Sequence, residues 1–68
     1  MRVIYDTETD ILDIYLSSAE RCTSRELSPG VIADLDKADN IIALEILDAS
    51  TRYSTEELAK FSFERTPV

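Results

Sequence analysis

The sequence predicts a small α+β domain, in which an antiparallel β-sheet of about four to five strands is followed by a short C-terminal α-helix. Three observations support this prediction. Positions 2–47 carry short apolar runs of strand length. Clusters of turn-forming residues separate these runs. A helix-capping pattern follows them near position 54. With 68 residues the chain has room for one domain, spanning 1–68.

The first two predicted strands form a hairpin. Residues 2–5 are short and β-branched, and the polar cluster at 6–10 predicts the turn. Residues 11–16 follow as the second strand. Because side chains alternate along a strand, one set of residues faces the core. That set is Leu12, Ile14 and Leu16.

The next three strands are predicted at 21–27, 31–36 and 41–47. The first is mostly polar, which is typical of an edge strand. Pro29 and Gly30 then predict a sharp turn. Val31, Ala33 and Leu35 share one face of the following strand. The segment 41–47 is apolar on both faces, which predicts a central or interfacial strand.

The helix is predicted over about residues 55–64, after a turn or short helical segment at 48–52. Ser54 and Glu57 have the spacing of a capping box, in which each side chain bonds the backbone N–H of the other residue. Leu58 and Phe61 lie on one side of this helix. Pro67 ends it.

A chain of this size needs additional stabilisation, because one small core supplies only about 3–5 kcal/mol. Cys22 is the single cysteine and histidine is absent, so an intrachain disulfide is excluded and a structural zinc site is not expected. A helix on one face would leave apolar residues on the other face. We therefore expect a homodimer through that face, with a mass near twice 7.7 kDa. The residues are Ile11, Tyr15, Ile41, Ala43 and Leu47.

The charge predicts the class of partner. Fourteen acidic and seven basic residues give a net charge of −7, which repels nucleic acid and anionic membranes. A small basic protein is the expected partner. No signal-peptide pattern begins the sequence, and no apolar run reaches the roughly 20 residues of a membrane span. The sequence therefore predicts a cytoplasmic location.

The chain offers weak candidates for chemistry. Asp6, Glu8 and Asp10 alternate as in the start of a calcium loop, but Ile11 replaces the expected glycine and Ser17 the final glutamate. Cys22 has no histidine to activate it. The sequence therefore predicts no catalytic residue, metal ligand or cofactor.

Tyrosines and acidic residues form the predicted interaction surface, because tyrosine supplies a large contact area and a polar tip at low entropic cost. Tyr5 and Tyr15 are equally consistent with core or dimer contacts, and Tyr53 is a further tyrosine candidate. The predicted surface consists of Tyr5, Tyr15, Asp34, Asp36, Glu45 and Asp48.

Several runs resemble a family of short bacterial and archaeal proteins, domain-of-unknown-function family 2283. They are Y-D-x-x-x-D at 5–10, I-L-D-I-Y-L at 11–16, E-L-S-P-G-V-I-A-D-L-D at 26–36 and A-L-E-I-L-D-A-S at 43–50. The resemblance covers most of residues 3–52 and implies no activity or catalytic residue. It also implies an antitoxin-like role, since similar genes often lie beside genes for small toxin-like proteins.

Two functional hypotheses follow. The first is a non-enzymatic module, a homodimer whose acidic surface binds a small, basic, toxin-like protein. The second is a metal-dependent enzyme or accessory protein, with a carboxylate site completed across the dimer by Asp34, Asp36 and Glu45. A structural subunit without separate activity is a third possibility.

Overall fold

Five antiparallel strands form one sheet, and two short helices follow it. A computed structural model describes residues 1–67. The strands are β1 (Arg2–Asp6), β2 (Ile11–Tyr15), β3 (Thr23–Ser28), β4 (Val31–Leu35) and β5 (Ile41–Ile46), and the helices are α1 (Ala49–Arg52) and α2 (Thr55–Leu58). The sheet order is β1-β2-β5-β4-β3, with every neighbouring pair antiparallel. The predicted α+β fold class is confirmed, and β5 is the central strand.

Strand register gives the two faces of the sheet different chemistry. On one side, which we call the apolar face, two rows of paired residues cross the sheet: Val3–Ile14–Leu44–Ala33 and Tyr5–Leu12–Ile46–Val31. On the other side, which we call the carboxylate face, the rows are Arg2–Tyr15–Ala43–Asp34 and Ile4–Asp13–Glu45–Ile32. The predicted inward set of β2 therefore lies on the apolar face.

The buried core is small. Its members are Ala33, Leu35, Ile42, Ala43 and Ala49. None of the large side chains in residues 1–67 is completely buried. Most residues of the apolar face are half-buried. The sheet is thus a single layer whose cover is incomplete.

Helix α1 joins the two hairpins at one end of the sheet. The N–H of Ala49 donates to the Asp10 carbonyl at 3.0 Å, which ties α1 to the β1–β2 turn. The Arg52 guanidinium donates to the Pro29 carbonyl, which ties the same helix to the β3–β4 turn. Gly30 has φ +78°, and a Cβ there would lie 2.7 Å from an Arg52 guanidinium nitrogen. Pro29 and Gly30 therefore form the β3–β4 turn and also contact α1.

The connection from β2 to β3 closes the opposite end. It crosses the ends of β5 and β4, because β2 and β3 are not neighbours in the sheet. The N–H groups of Leu16 and Ser17 donate to the Ile42 carbonyl at 2.9 and 3.1 Å, and the N–H of Cys22 donates to the Leu35 carbonyl at 2.8 Å. Leu35 and Ile42 are buried at this end.

Helix α2 starts where the sequence predicts but is shorter than predicted. The Ser54 hydroxyl accepts from the Glu57 N–H at 3.1 Å, and the Glu57 carboxylate accepts from the Ser54 N–H at 3.0 Å. The helix ends at Leu58 instead of near residue 64. Short helices depend on packing for their stability, and α2 has no buried residue.

Candidate functional site

The centre of the carboxylate face holds acidic side chains from three adjacent strands. Asp13 on β2 is directly opposite Glu45 on β5. Asp34 on β4 pairs with Ala43 and is therefore a diagonal neighbour of Glu45. All three carboxylates are half-buried. We call Asp13, Asp34 and Glu45 the central carboxylates.

The electrostatics of this group disfavour one of its charges. Burial raises the pKa of Asp13, and the negative charges of Asp34 and Asp6 raise it further. Asp34 accepts a hydrogen bond from the Ser24 hydroxyl at 2.7 Å, and Arg21 donates to that hydroxyl at 3.2 Å. The β4 end of the group is therefore hydrogen-bonded to β3, whereas the charged form of Asp13, at the β2 end, is disfavoured.

Apolar side chains lie on both sides of the central carboxylates along one row of the sheet. Ile4 and Ile32 flank them in the same row, and both are half-buried. Tyr15 lies in the adjacent row and is 40% exposed. A surface with charges among apolar and aromatic groups suits protein recognition, because the apolar groups exclude water around the charged contacts.

The structure places half of the predicted interaction residues together. Tyr15, Asp34 and Glu45 are on the carboxylate face. Tyr5 is on the apolar face, where its hydroxyl donates to the Asp10 carboxylate at 2.7 Å, and this bond raises the pKa of Tyr5. Asp48 lies at the end of the sheet, where it precedes α1 with φ 52° and makes no side-chain capping bond.

Asp36 stabilises the β4–β5 turn through hydrogen bonds. Its carboxylate accepts from the N–H groups of Ala38 and Asn40, both at 2.9 Å, and from the Asn40 side-chain amide at 3.1 Å. The bonds from Asn40 hold the pKa of Asp36 below its ordinary value. Asp36 therefore stabilises a turn, and this carboxylate already has three hydrogen-bond donors.

Two carboxylates with distinctive surroundings in the structure, Asp13 and Asp10, lie outside the predicted interaction surface. Asp13 carried a signal, since it is an acidic residue flanked by Leu12 and Ile14 in an apolar strand. Asp10 carried no local signal. Its carboxylate accepts from the Ser50 N–H at 3.0 Å and the Ser50 hydroxyl at 2.6 Å, and these bonds hold the pKa of Asp10 low.

One of the alternating acidic residues at 6–10, Asp6, stabilises the β1–β2 turn. The Asp6 carboxylate accepts from the N–H groups of Glu8 and Thr9 at 2.9 and 3.3 Å. Across residues 1–67, no three His, Cys, Asp or Glu side chains are grouped as metal ligands.

Neither helix in the described part of the chain has the length and apolar character needed to cross a membrane.

Comparison with known proteins places the sheet in a sequence family. A family model described as "Protein of unknown function (DUF2283)" matches residues 2–50. The chain belongs to the DUF2283 family. The match covers all five strands and ends within α1, so α2 and the segment after it lie outside the DUF2283 region.

A curated relative from Methanosarcina mazei is named "Putative hypoxanthine phosphoribosyltransferase". It is 42% identical to this DUF2283 chain over 50 residues, which cover 74% of this chain and 40% of the relative. The chain thus spans about two fifths of that protein's length. No solved structure matches the chain.

Proposed function

We propose that this DUF2283 protein is a non-enzymatic interaction module, a homodimer whose carboxylate face binds a small basic protein. The single observation behind the proposal is the group of central carboxylates, set among isoleucines and Tyr15. In an antitoxin-like role, the partner is a toxin-like protein whose basic surface is occluded by this face.

The chemistry of Asp13 supports a cationic partner. Its charge is disfavoured in the free protein because burial and neighbouring acids raise its pKa. An arginine or lysine of the partner stabilises the charged form and offsets that cost. The methylene groups of such a side chain also pack against Ile4 and Ile32. Perturbed carboxylates of this kind occur often at functional sites.

The net charge supports the same class of partner. A charge of −7 on each chain steers a basic protein toward the surface and raises the association rate. Salt screens this attraction, with a Debye length of about 10 Å at 0.1 M. Binding is therefore expected to weaken as salt rises.

Two alternatives have less support. A metal-dependent site across a homodimer would use Asp34, Asp36 and Glu45, but the Asp36 carboxylate is occupied by its own turn. Phosphoribosyl transfer is suggested by the name of the Methanosarcina relative alone. Gly30 is the single glycine of this chain, so it cannot form a glycine-rich phosphate loop.

The test is affinity capture by the tagged full chain from its native host, compared between two charge-matched variants. The first variant changes the central carboxylates, as Asp13→Asn, Asp34→Asn and Glu45→Gln. The control changes exposed loop acids, as Glu8→Gln, Glu20→Gln and Asp39→Asn. Each variant has a net charge of −7 + 3 = −4.

We expect wild type and control to retain one small basic protein at about 50 mM salt and to release it by about 300 mM, because screening removes the steering. The variant of the three central carboxylates, which we call the face variant, should retain none. With the purified partner, the face variant should raise the dissociation constant at least about tenfold more than the control. Equal binding by both variants would contradict a site at the carboxylate face.

A further inference from the structure

The protein exposes more surface than a compact monomer of its mass. Its accessible surface is 5502 Å² at 7.7 kDa. The mass scaling for folded monomers gives about 4,300 Å², so the excess is roughly 1,200 Å². A standard protein interface covers about 800 Å² on each partner. The excess is large enough for one such interface.

The apolar face has apolar surface that the chain does not fully cover. Val3, Leu12 and Ile14 are half-buried on this face. Helix α2 and the start of the segment 59–67, which we call the C-terminal segment, line a cavity together with them. This cavity is open to solvent and has a volume of about 380 Å³. Its lining includes Tyr53 and Leu58, with Glu57 and Lys60 as charged members. Because most of this lining is apolar and open to solvent, the chain leaves apolar surface uncovered here.

The C-terminal segment carries unpacked aromatic groups at this place. Phe61 lines the cavity yet is 65% exposed, and Phe63 is 67% exposed. An exposed phenylalanine in a largely apolar open cavity, with a second exposed phenylalanine two residues further on, is the pattern expected of an interface seen in one subunit.

We infer that the apolar face is the homodimer interface, and that the C-terminal segment of a second copy contributes Phe61 and Phe63 to the cavity. The inference rests on the proposed function only for the existence of a homodimer. It assigns the dimer to the face opposite the partner site. Both carboxylate faces then point outward, where each can bind a basic protein.

Charge decides between the two faces. A dimer through the carboxylate face would bury Asp13, Asp34 and Glu45 against their copies, and buried like charges are strongly unfavourable. The sequence pattern alone predicts a dimer through that face, formed by Ile11, Tyr15, Ile41, Ala43 and Leu47. Register places the central carboxylates among those residues, whereas the apolar rows carry none.

Sedimentation of the full chain over a concentration series tests the inference. Wild type should have about twice the 7.7 kDa monomer mass. The double variant Phe61→Ser, Phe63→Ser should raise the dimer dissociation constant about a hundredfold, from the lost burial of two phenyl groups. Tyr15→Ser, the matched control on the carboxylate face, should leave it within about threefold.

Photo-crosslinking identifies the contacting residues directly, so this test does not depend on whether the phenylalanine double variant folds. A benzophenone amino acid at position 63, in a mixture of isotopically light and heavy chains, should give light–heavy crosslinks to peptides of residues 2–16. A monomeric wild type would overturn the inference, as would crosslinks within one chain alone. A dimer weakened by Tyr15→Ser but not by the phenylalanine variant would also overturn it.

The experiments distinguish failure of the partner site on the carboxylate face from failure of the dimer interface on the apolar face. The phenylalanine variant keeps all three central carboxylates, so it should still capture the basic partner whether or not it dimerises. Loss of capture by the face variant, with an intact dimer, would support the partner site alone.

Discussion

Asp13 is the residue at which stability and the proposed function oppose each other. Its raised pKa means that the folded state binds this proton more tightly than the unfolded chain. Asp13 therefore favours folding at low pH, and that contribution is lost as the pH rises through the raised pKa. At neutral pH its charge destabilises the fold.

We predict that Asp13→Asn raises the melting temperature by a few degrees at pH 7 and has little effect at about pH 3, where the aspartate is protonated. Thermal melts at both pH values measure this. Asp39→Asn, in an exposed turn, is the control and should show no such difference. A lower melting temperature for Asp13→Asn at pH 7 would show that its charge stabilises the fold.

Tyr5 and Asp10 show why some residue roles could not be predicted. The sequence left Tyr5 equally consistent with recognition and with packing. In the structure the Tyr5 hydroxyl donates a hydrogen bond to the Asp10 carboxylate, which also accepts from Ser50. Asp10 and Ser50 are 40 positions apart, so the bond depends on how α1 returns to the first hairpin. Local sequence patterns carry no information about such a contact.

At the scale of elements, the strands were easier to predict than the helix. Each strand pairs with a neighbour along its length, and its apolar pattern and turns mark its ends. The start of α2 was also predictable, because the capping box is a local motif. Its end was not, because a helix this short, without a buried residue, has little packing to determine how far it continues.

We predict that Ser54→Ala loosens α2 without changing global stability. The change removes one capping bond, which should reduce the exchange protection of the Glu57 N–H roughly fivefold. Amide hydrogen exchange measures this effect. The melting temperature should stay constant, since α2 has no buried residue. A fall in melting temperature would show that α2 unfolds together with the sheet. Ser18→Ala, in an exposed connection, is the control.

At the scale of the whole molecule, the charge of −7 opposes compact folding and dimer formation. We predict that raising sodium chloride from about 20 to about 200 mM increases the melting temperature, because salt screens this repulsion. The loop variant with Glu8→Gln, Glu20→Gln and Asp39→Asn should show a smaller increase. An equal increase in both proteins would indicate an effect of salt other than charge screening.

The sequence by itself determined the fold class, a sheet of about four to five strands, the start of α2 and the net charge. These features follow from alternation, turn residues and composition, which are local or additive. Tertiary structure decided which acids lie together. Asp34 and Glu45 were predicted for the surface, but their grouping with Asp13 depends on β5 lying between β2 and β4. It also decided which face stays uncovered, because the length of α2 and the path of the C-terminal segment depend on packing against the sheet.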